Sequence, residues 1–445
     1  MASDLLTIGA AGAKAARAAL DVTAHNIANA STEGYIRRTA RLEELAGRGT
    51  FPYTSDISLS GARVGSIHRN ADAFRQAEVR RTGSDLARSD KDLAALREVE
   101  AALEDTAIFD SVVEFEAALQ QLSNDPVDPA LRAVALARAD AMAGKFNIAA
   151  QGLDASVDGL HFDARSDVAR ANGIGAELAR VNVGLSRAAN GSTDKAALLD
   201  RRDLLLSELS THADSTAEFA GDGTVTVRLG GAGGAVFVAG NVAGTLEMAV
   251  AADDTLSFAV NGAAIAVTGG RLAGAQTGVV SANSFRARLD TLADGIVQTV
   301  NDAQGAGVDL TGGAGQPIFA GSGAAGMRMV LPDGSRIAAA AAGAPASSRD
   351  GTNLLALRQA VATLDPAGGM NLLLFDASAL VAARTLSNEA LGTIASSAKI
   401  VLQQQAGVDL DTEAANLIRF QQAFQASSRA MQVASDLFDT LIGIR

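Results

Sequence analysis

Apolar residues recur at every seventh position at both ends of the chain, and this repeat limits the fold more than any other feature. Between Asp409 and Arg445, the residues Leu410, Leu417, Phe424, Met431 and Phe438 fall in successive heptads. Phe420, Ala434 and Leu441 stand three residues further on in theirs. That spacing keeps a narrow apolar seam on one side of a long helix. Asp409 or Asp411 can cap its start, and Gly443 can loosen its end. Near the other end Leu6, Ala13, Leu20 and Ile27 keep the same interval, beside Gly9, Ala16 and Thr23. A slim, Ala-rich helix can lie close against one that carries Phe. The two ends are therefore expected to run alongside each other as an α-helical coiled coil with both termini at one end. Everything between them is then an insertion into that pair.

At 445 residues the chain has room for roughly two to four domains. Hydrophobic residues make up 48%, enough for packed cores, while aromatics are only 4% and Trp is absent, so Ala and Gly must do much of the filling. The net charge of −13 repels phosphate backbones, and no basic stripe interleaved with aromatics occurs, so no nucleic-acid partner is expected. The absence of Cys excludes disulfides and thiolate sites. No unbroken run of 18 apolar residues exists, so no membrane partner is expected either. Asp4 and Lys14 interrupt any signal-peptide pattern, and an exported chain of this kind would be read from an uncleaved N-terminus.

Taken in order, Ser3 can cap a first helix that runs to about Ala30, and Ser31-Thr32-Glu33-Gly34 reads as its stop. Phe51-Pro52-Tyr53 breaks helix, and Ile57 to Ile67 alternates like short strands. A long helix is expected from about Asp72 to Glu104, and a capping box at Ser111-Val112-Val113-Glu114 should open the next. Asp128-Pro129 reads as N-cap and first helical residue, with helix continuing through Gly interruptions to about Arg187. Leu198 to Leu209 gives one more amphipathic helix. Short apolar runs between turns then mark a small antiparallel β segment, with Asn261-Gly262 as a hairpin signal. Helix returns around Phe285 to Val300, a hairpin is expected around Pro332-Asp333-Gly334, and Asn371 to Gln405 is helical again. The expected fold is mainly α with a β insert, an elongated multidomain subunit. Its parts are a terminal coiled coil (1–40 plus 405–445), a helical-bundle body with short β segments (41–212 plus 277–404) and an antiparallel β insert (213–276).

Few residue patterns suggest chemistry. His25, His68, His161 and His212 are far apart in the chain, pair with no other His at helical spacing, and are read as surface or interface residues. Gly321 to Gly326 matches a dinucleotide-binding fingerprint by letter but lacks the following helix, so it is read as a loop. Asp200-Arg201-Arg202-Asp203 is read as a solvated helix face. No catalytic residue, cofactor or metal site is predicted, and an enzyme is not expected.

The two ends are similar to the signatures of the bacterial flagellar axial proteins. His25-Asn26-Ile27-Ala28-Asn29-Ala30-Ser31-Thr32-Glu33-Gly34-Tyr35 resembles the N-terminal signature of rod, hook and hook-associated members, with Asn26, Ile27, Ala28, Asn29, Gly34 and Tyr35 as its core. Asn416-Leu417-Ile418-Arg419-Phe420-Gln421-Gln422-Ala423-Phe424 and Leu437-Phe438-Asp439-Thr440-Leu441-Ile442 resemble the C-terminal one. In the middle, Gly61 to Arg80, Leu198 to Leu209 and Leu289 to Leu310 resemble the hook-associated protein 1 family, although Ile36 and Gln304 replace the usual Ser and His.

The resemblance implies a structural, non-enzymatic part of the extracellular flagellum at the hook–filament junction. It would assemble with itself into a ring and contact hook protein and hook-associated protein 3. Export would follow the type III route, with a cytoplasmic chaperone on the C-terminal helix. Another axial role, as hook or distal-rod subunit, is the alternative, and a surface adhesin or ligand-binding protein a more distant one. Leu6, Ala13, Leu20, Ile27, Leu410, Leu417, Phe420, Phe424, Met431, Phe438 and Leu441 are the expected assembly contacts. Burial along one seam offsets little of the backbone entropy of ordering both ends, so the termini are expected to be mobile in a free monomer and to order between neighbours.

Overall fold

The computed structural model describes residues 2–46 and 59–443. The expected break at Phe51-Pro52-Tyr53 and the start of the alternation at Ile57 lie outside them, as does the side chain of Leu441. The chain begins with α1 (Ala2–Ala28), a hairpin of β1 (Arg38–Ala46) and β2 (Leu59–Arg69), then α2 (Ala73–Glu104), α3 (Ile108–Asn124), α4 (Pro129–Arg187) and α5 (Thr193–His212). Seven short strands follow: β3 (Ser215–Phe219), β4 (Val225–Leu229), β5 (Ala235–Ala239), β6 (Val242–Ala243), β7 (Leu246–Val250), β8 (Leu256–Val260) and β9 (Ala263–Ile265). Next come α6 (Gly270–Gly305), β10 (Gly307–Val308), β11 (Phe319–Ala320), the single turn α7 (Gly323–Gly326), β12 (Arg328–Met329) and β13 (Ala340–Ala341). The chain closes with α8 (Thr352–Leu364), α9 (Pro366–Ala406) and α10 (Leu410–Gly443). The architecture is mainly α with a β insert.

Local chemistry sets most helix starts. Asp72 caps α2 through the backbone N–H groups of Phe74 and Arg75, and Asp128 caps α4 through Ala130 and Leu131, with Pro129 in the first helical position. From there α4 runs 59 residues without a break, about 90 Å, so the glycines along it interrupt nothing. The capping box at Ser111 does not form. Ile108 is fully buried and draws the helix start back to itself, Ser111 Oγ donates to the Ile108 carbonyl inside the helix, and Glu114 pairs with Arg138 instead. The hairpin expected around Pro332-Asp333-Gly334 is also absent: Met329 and Arg328 pair with β11, and Gly334–Arg336 forms a 3-10 turn seated on α4. An 18-residue window within Thr352–Thr440 is apolar enough by composition to cross a membrane, with a mean hydropathy of 1.3. That stretch spans α8, α9 and most of α10, of which α9 lies against α2 and α6.

The core gathers α2, α3, α4, α5 and α6, with α8 and the first half of α9 closing it. Phe146 is its fully buried centre, and Phe115 meets Phe319 edge to face at 6.0 Å. The β insert is two antiparallel sheets, β3-β4-β5-β6 and β7-β8-β9. Asn261 and Gly262, at φ 51° and 77°, make the tight turn between β8 and β9. Two side chains of α4 fasten the insert. Asn182 donates to the Val225 and Gly240 carbonyls and accepts from Val225 N–H, and Asn172 makes the same two-way contact with Leu246.

Candidate assembly interface

The terminal helices α1 and α10 pack along each other with opposite chain directions, so Gly9 meets Met431 while Asn26 meets Glu413. The approach is close. A Cβ on Gly9 would stand 2.7 Å from Met431 Cγ, and one on Gly12 would stand 2.8 Å from Ser427 Oγ. The other flank of α1 is covered by the β1–β2 hairpin. That explains the Ala-rich composition: α1 is pressed from two sides, and Ala13, Ala15, Ala16 and Ala19 are all buried.

The expected contact residues divide into two groups. Ala13 is buried, and Leu20, Ile27, Leu417, Phe420 and Met431 are half-buried in the α1–α10 contact. Leu6, Leu410, Phe424 and Phe438 stay exposed. A groove of about 630 Å³ opens beside Leu6 and Phe424, lined also by Arg429 and Met431. Among the described side chains of α10, only Glu413 and Ala434 are buried.

Glu413 occupies a seam position that no search for apolar heptads selects, and it belongs to a polar node at the base of the stalk. Asn26, 1% exposed, is the centre of that node. Its Nδ2 donates to the Arg38 carbonyl (2.8 Å) and to Glu413 Oε2 (3.1 Å), while its Oδ1 accepts from Tyr35 Oη (2.8 Å) and from Arg38 N–H (3.0 Å). Arg37 Nε donates to Glu413 Oε1 at 2.7 Å, and Arg37 N–H donates to the Ala406 carbonyl. All four hydrogen-bonding sites on Asn26 are therefore used. Ile27, half-buried, and Ala28, exposed, follow it to the helix end, Asn29 turns back to cap the His25 carbonyl, and Gly34 takes φ 77° where the loop passes Leu204 of α5.

The node continues into the body. Arg38 Nη2 donates to Asp200 (3.0 Å), Arg69 reaches both Asp200 and Asp203 at 2.6 Å, and Arg202 and Gln76 complete the ring around Asp203. Asp200, Arg202 and Asp203 thus form not a solvated face but a tie between hairpin and bundle, and only Arg201 stays exposed, paired with Glu177. Its partners, Arg38 and Arg69, lie more than a hundred residues away in sequence, beyond the reach of any local pattern. Two of the histidines are likewise internal: His212 Nδ1 lies 2.9 Å from Asp167, and His161 Nε2 lies 2.8 Å from the Asp254 carbonyl. His25 and His68 are exposed.

Burial pushes the Asp200 carboxyl above the usual range in spite of Arg69 and Arg38. For Asp203 burial pushes upward too, but the Arg69 and Arg202 guanidiniums overcome it and hold the group low. Asp167 is held low in the same way, by His212 and Arg271 against burial. A carboxylate depressed in the folded state adds stability above the unfolded pKa, about 3.9, and loses it as pH falls through the folded value. Asp200, being raised, adds no such loss. Urea unfolding at a series of pH values should show stability falling below about pH 4. In Asp203→Asn the neutral-pH stability should be lower and the acid-side fall shallower.

Three family descriptions match the chain. The flagellar hook-associated protein FlgK helical domain covers residues 95–319, the flagella basal body rod protein family covers residues 6–35, and the flagellar basal body rod FlgEFG protein C-terminal family covers residues 403–444. Flagellar hook-associated protein 1 of Bacillus subtilis (strain 168) is 24% identical over 96% of this chain and 95% of its own length. The protein of the same description from Escherichia coli (strain K12) is 24% identical over 72% of this chain and 60% of its own length. The solved structure of the flagellar hook junction protein FlgK from Burkholderia pseudomallei is 22% identical over 55% of this chain and 46% of that one, with a TM-score of 0.49. The helical-domain match takes in just over half of the sequence, and the two terminal matches fall on the helices that form the stalk, so this chain belongs to the FlgK family of flagellar hook-associated proteins.

Proposed function

We propose that the chain is a structural, non-catalytic subunit of the junction between flagellar hook and filament, where copies join into a ring through their stalks. The observation that carries this reading is the state of α10, a 34-residue helix whose only extensive packing among the described residues is against α1. Ile418, Phe424, Val433, Leu437 and Phe438 are exposed along it, a surface suited to neighbours. The terminal assembly unit is then 1–40 with 405–445, the body is 41–212 with 277–404, and 213–276 is the outer insert. Hook protein, hook-associated protein 3 and an export chaperone on α10 are the expected partners, without nucleic acid or membrane. Delivery to the extracellular flagellum would follow the type III route. The match to the FlgK helical domain over the middle of the chain favours this role over hook or distal-rod subunit.

The test is genetic. A strain lacking the gene should build hooks without filaments and shed flagellin into the medium, visible by electron microscopy. Restoring the wild-type gene should restore filaments. Phe424→Asp should be secreted in soluble form yet leave hooks bare. Normal filaments in the deletion strain would end the proposal.

A further inference from the structure

Two exposed stripes in the body are left unexplained by the packing of one copy. On α4, Val134, Ala141, Ile148, Ala155, Phe162 and Ala169 fall seven residues apart, alternate large and small, and are all exposed. On α9, Leu372, Ala379, Leu386, Thr393 and Ile400 do the same. Phe162 and Leu386 are each 71% exposed. Both stripes place a large side chain every fourteenth residue, about 21 Å along a helix.

The glycines of α4 add a second observation. Gly144, Gly159 and Gly173 flank the stripe, and a Cβ built on any of them meets nothing within 4 Å. Glycine in a helix interior is unfavourable relative to alanine, and here no contact among the described residues requires it. Gly152, by comparison, is accounted for, because its Cβ would stand 3.0 Å from Ala102. A surface with bulky knobs and uncompensated glycines is shaped for close approach by another helix.

The outer face of α9 has the matching character. Its 41 residues include four charged ones, Asp376, Arg384, Glu389 and Lys399. Two of these turn to partners in the body, Arg384 to Asp92 and Asp376 to Arg288. The stripe itself carries no charge.

The two helices run in the same direction. Ser156 and Asp163 of α4 meet Glu98 and Lys91 of α2, while Arg384 and Asn388 of α9 meet Asp92 and Asp90, so each is antiparallel to α2. Those contacts also put Phe162 and Leu386 at the same height. A second copy at that height would set large against large. Displaced along the axis by one heptad, about 10 Å, it sets each large side chain against a small one.

We propose that the α9 stripe of one copy packs into the α4 stripe of the next, with an axial step of one heptad between neighbours. This rests on the ring reading above and supplies a lateral contact outside the stalk. The overlap, about 40 Å long and 10 Å wide, presents about 400 Å² per copy, half of what a standard stable interface uses. Free copies should therefore stay monomeric, and the contact should hold only where stalk packing adds to it. Because the two stripes lie on different helices, the contact is heterologous and propagates around a ring instead of closing a pair.

The native chain has no cysteine, which makes cross-linking decisive. In the deletion strain, Phe162→Cys combined with Ala379→Cys, or with Thr393→Cys, should give a ladder of disulfide-linked multimers on assembled flagella after mild oxidation. Phe162→Cys with Leu386→Cys should not. Gly159→Leu should leave the unfolding temperature undiminished and abolish filament assembly. If the cysteine-free chain restores filaments but only the level pair cross-links, or no pair does, the contact is wrong while the junction reading stands. If the cysteine-free chain restores no filaments, the junction reading falls and the contact with it.

Discussion

Asn26→Leu should detach the stalk from the body while leaving the bundle folded. The substitution is close to isosteric, so its effect comes from hydrogen bonds and not from shape. Leucine removes all four contacts of Asn26, stranding Arg38 N–H, the Arg38 carbonyl, Tyr35 Oη and one oxygen of Glu413 at a buried site. A buried group left without its partner costs about 1–3 kcal/mol, and several share the loss here, so about 3–5 kcal/mol is expected locally. What remains at the base is the thin apolar seam and the half-buried Arg37–Glu413 ion pair. Hydrogen exchange should show Val22 to Arg38 and the first turns of α10 opening freely, while α4 and α6 keep their protection. Filaments should be lost. Unchanged exchange around Asn26 would mean that the seam and the Arg37–Glu413 pair hold the stalk without it.

Arg132→Met should produce the largest loss of global stability from one exposed-type residue. Arg132 is 1% exposed and makes no ion pair among the described residues; its guanidinium donates to the carbonyls of Pro126 (2.6 Å), Gly334 (2.9 Å) and Ile337 (2.8 Å). It thereby stitches the α3–α4 turn to the segment that replaced the expected hairpin. Burial lowers its pKa from the ordinary arginine value, with Asp309 acting in the opposite direction. Methionine fills much of the volume but strips the Pro126 and Ile337 carbonyls of their donor, while the Gly334 carbonyl keeps the N–H of Ile337, for a cost of about 2–5 kcal/mol. The urea midpoint of the body should fall, and protection should vanish first around Gly334. A midpoint shift no larger than that of an exposed Arg→Met control would refute the stitch.

The elements that could be read from sequence are those whose causes are local. Asp72 and Asp128-Pro129 announce their helices because a cap bonds to N–H groups two and three residues away. Asn261-Gly262 announces its turn because left-handed backbone selects those residue types. The heptads of the two ends predict the stalk, since periodicity alone decides which face is apolar. What stayed hidden depends on distant partners. Glu413 looks like an ordinary surface acid until Arg37 and Asn26 arrive from the far end of the chain. Asp200 and Asp203 look solvated until the β1–β2 hairpin brings Arg38 and Arg69 over them. Ser111 has the letters of a capping box, but the burial of Ile108 outweighs one side-chain bond. In the candidate interface, the apolar half could be found by counting, and the polar half required the fold.

The β insert leaves the body and returns to it at almost the same point. Thr268 donates to the Asp214 carboxylate through both its N–H and its hydroxyl, Gly230 N–H donates to the Asp214 carbonyl, and a Cβ on Gly270 would touch the His212 backbone. The neck is closed by its own bonds, and beyond it the module is seated on the bundle through Asn172 and Asn182. The exposed turns of the insert, at Gly221, Asp253 and Gly262, take no part in those two contacts, so lengthening them would alter the face shown to the surroundings and leave the contact between α1 and α10 untouched.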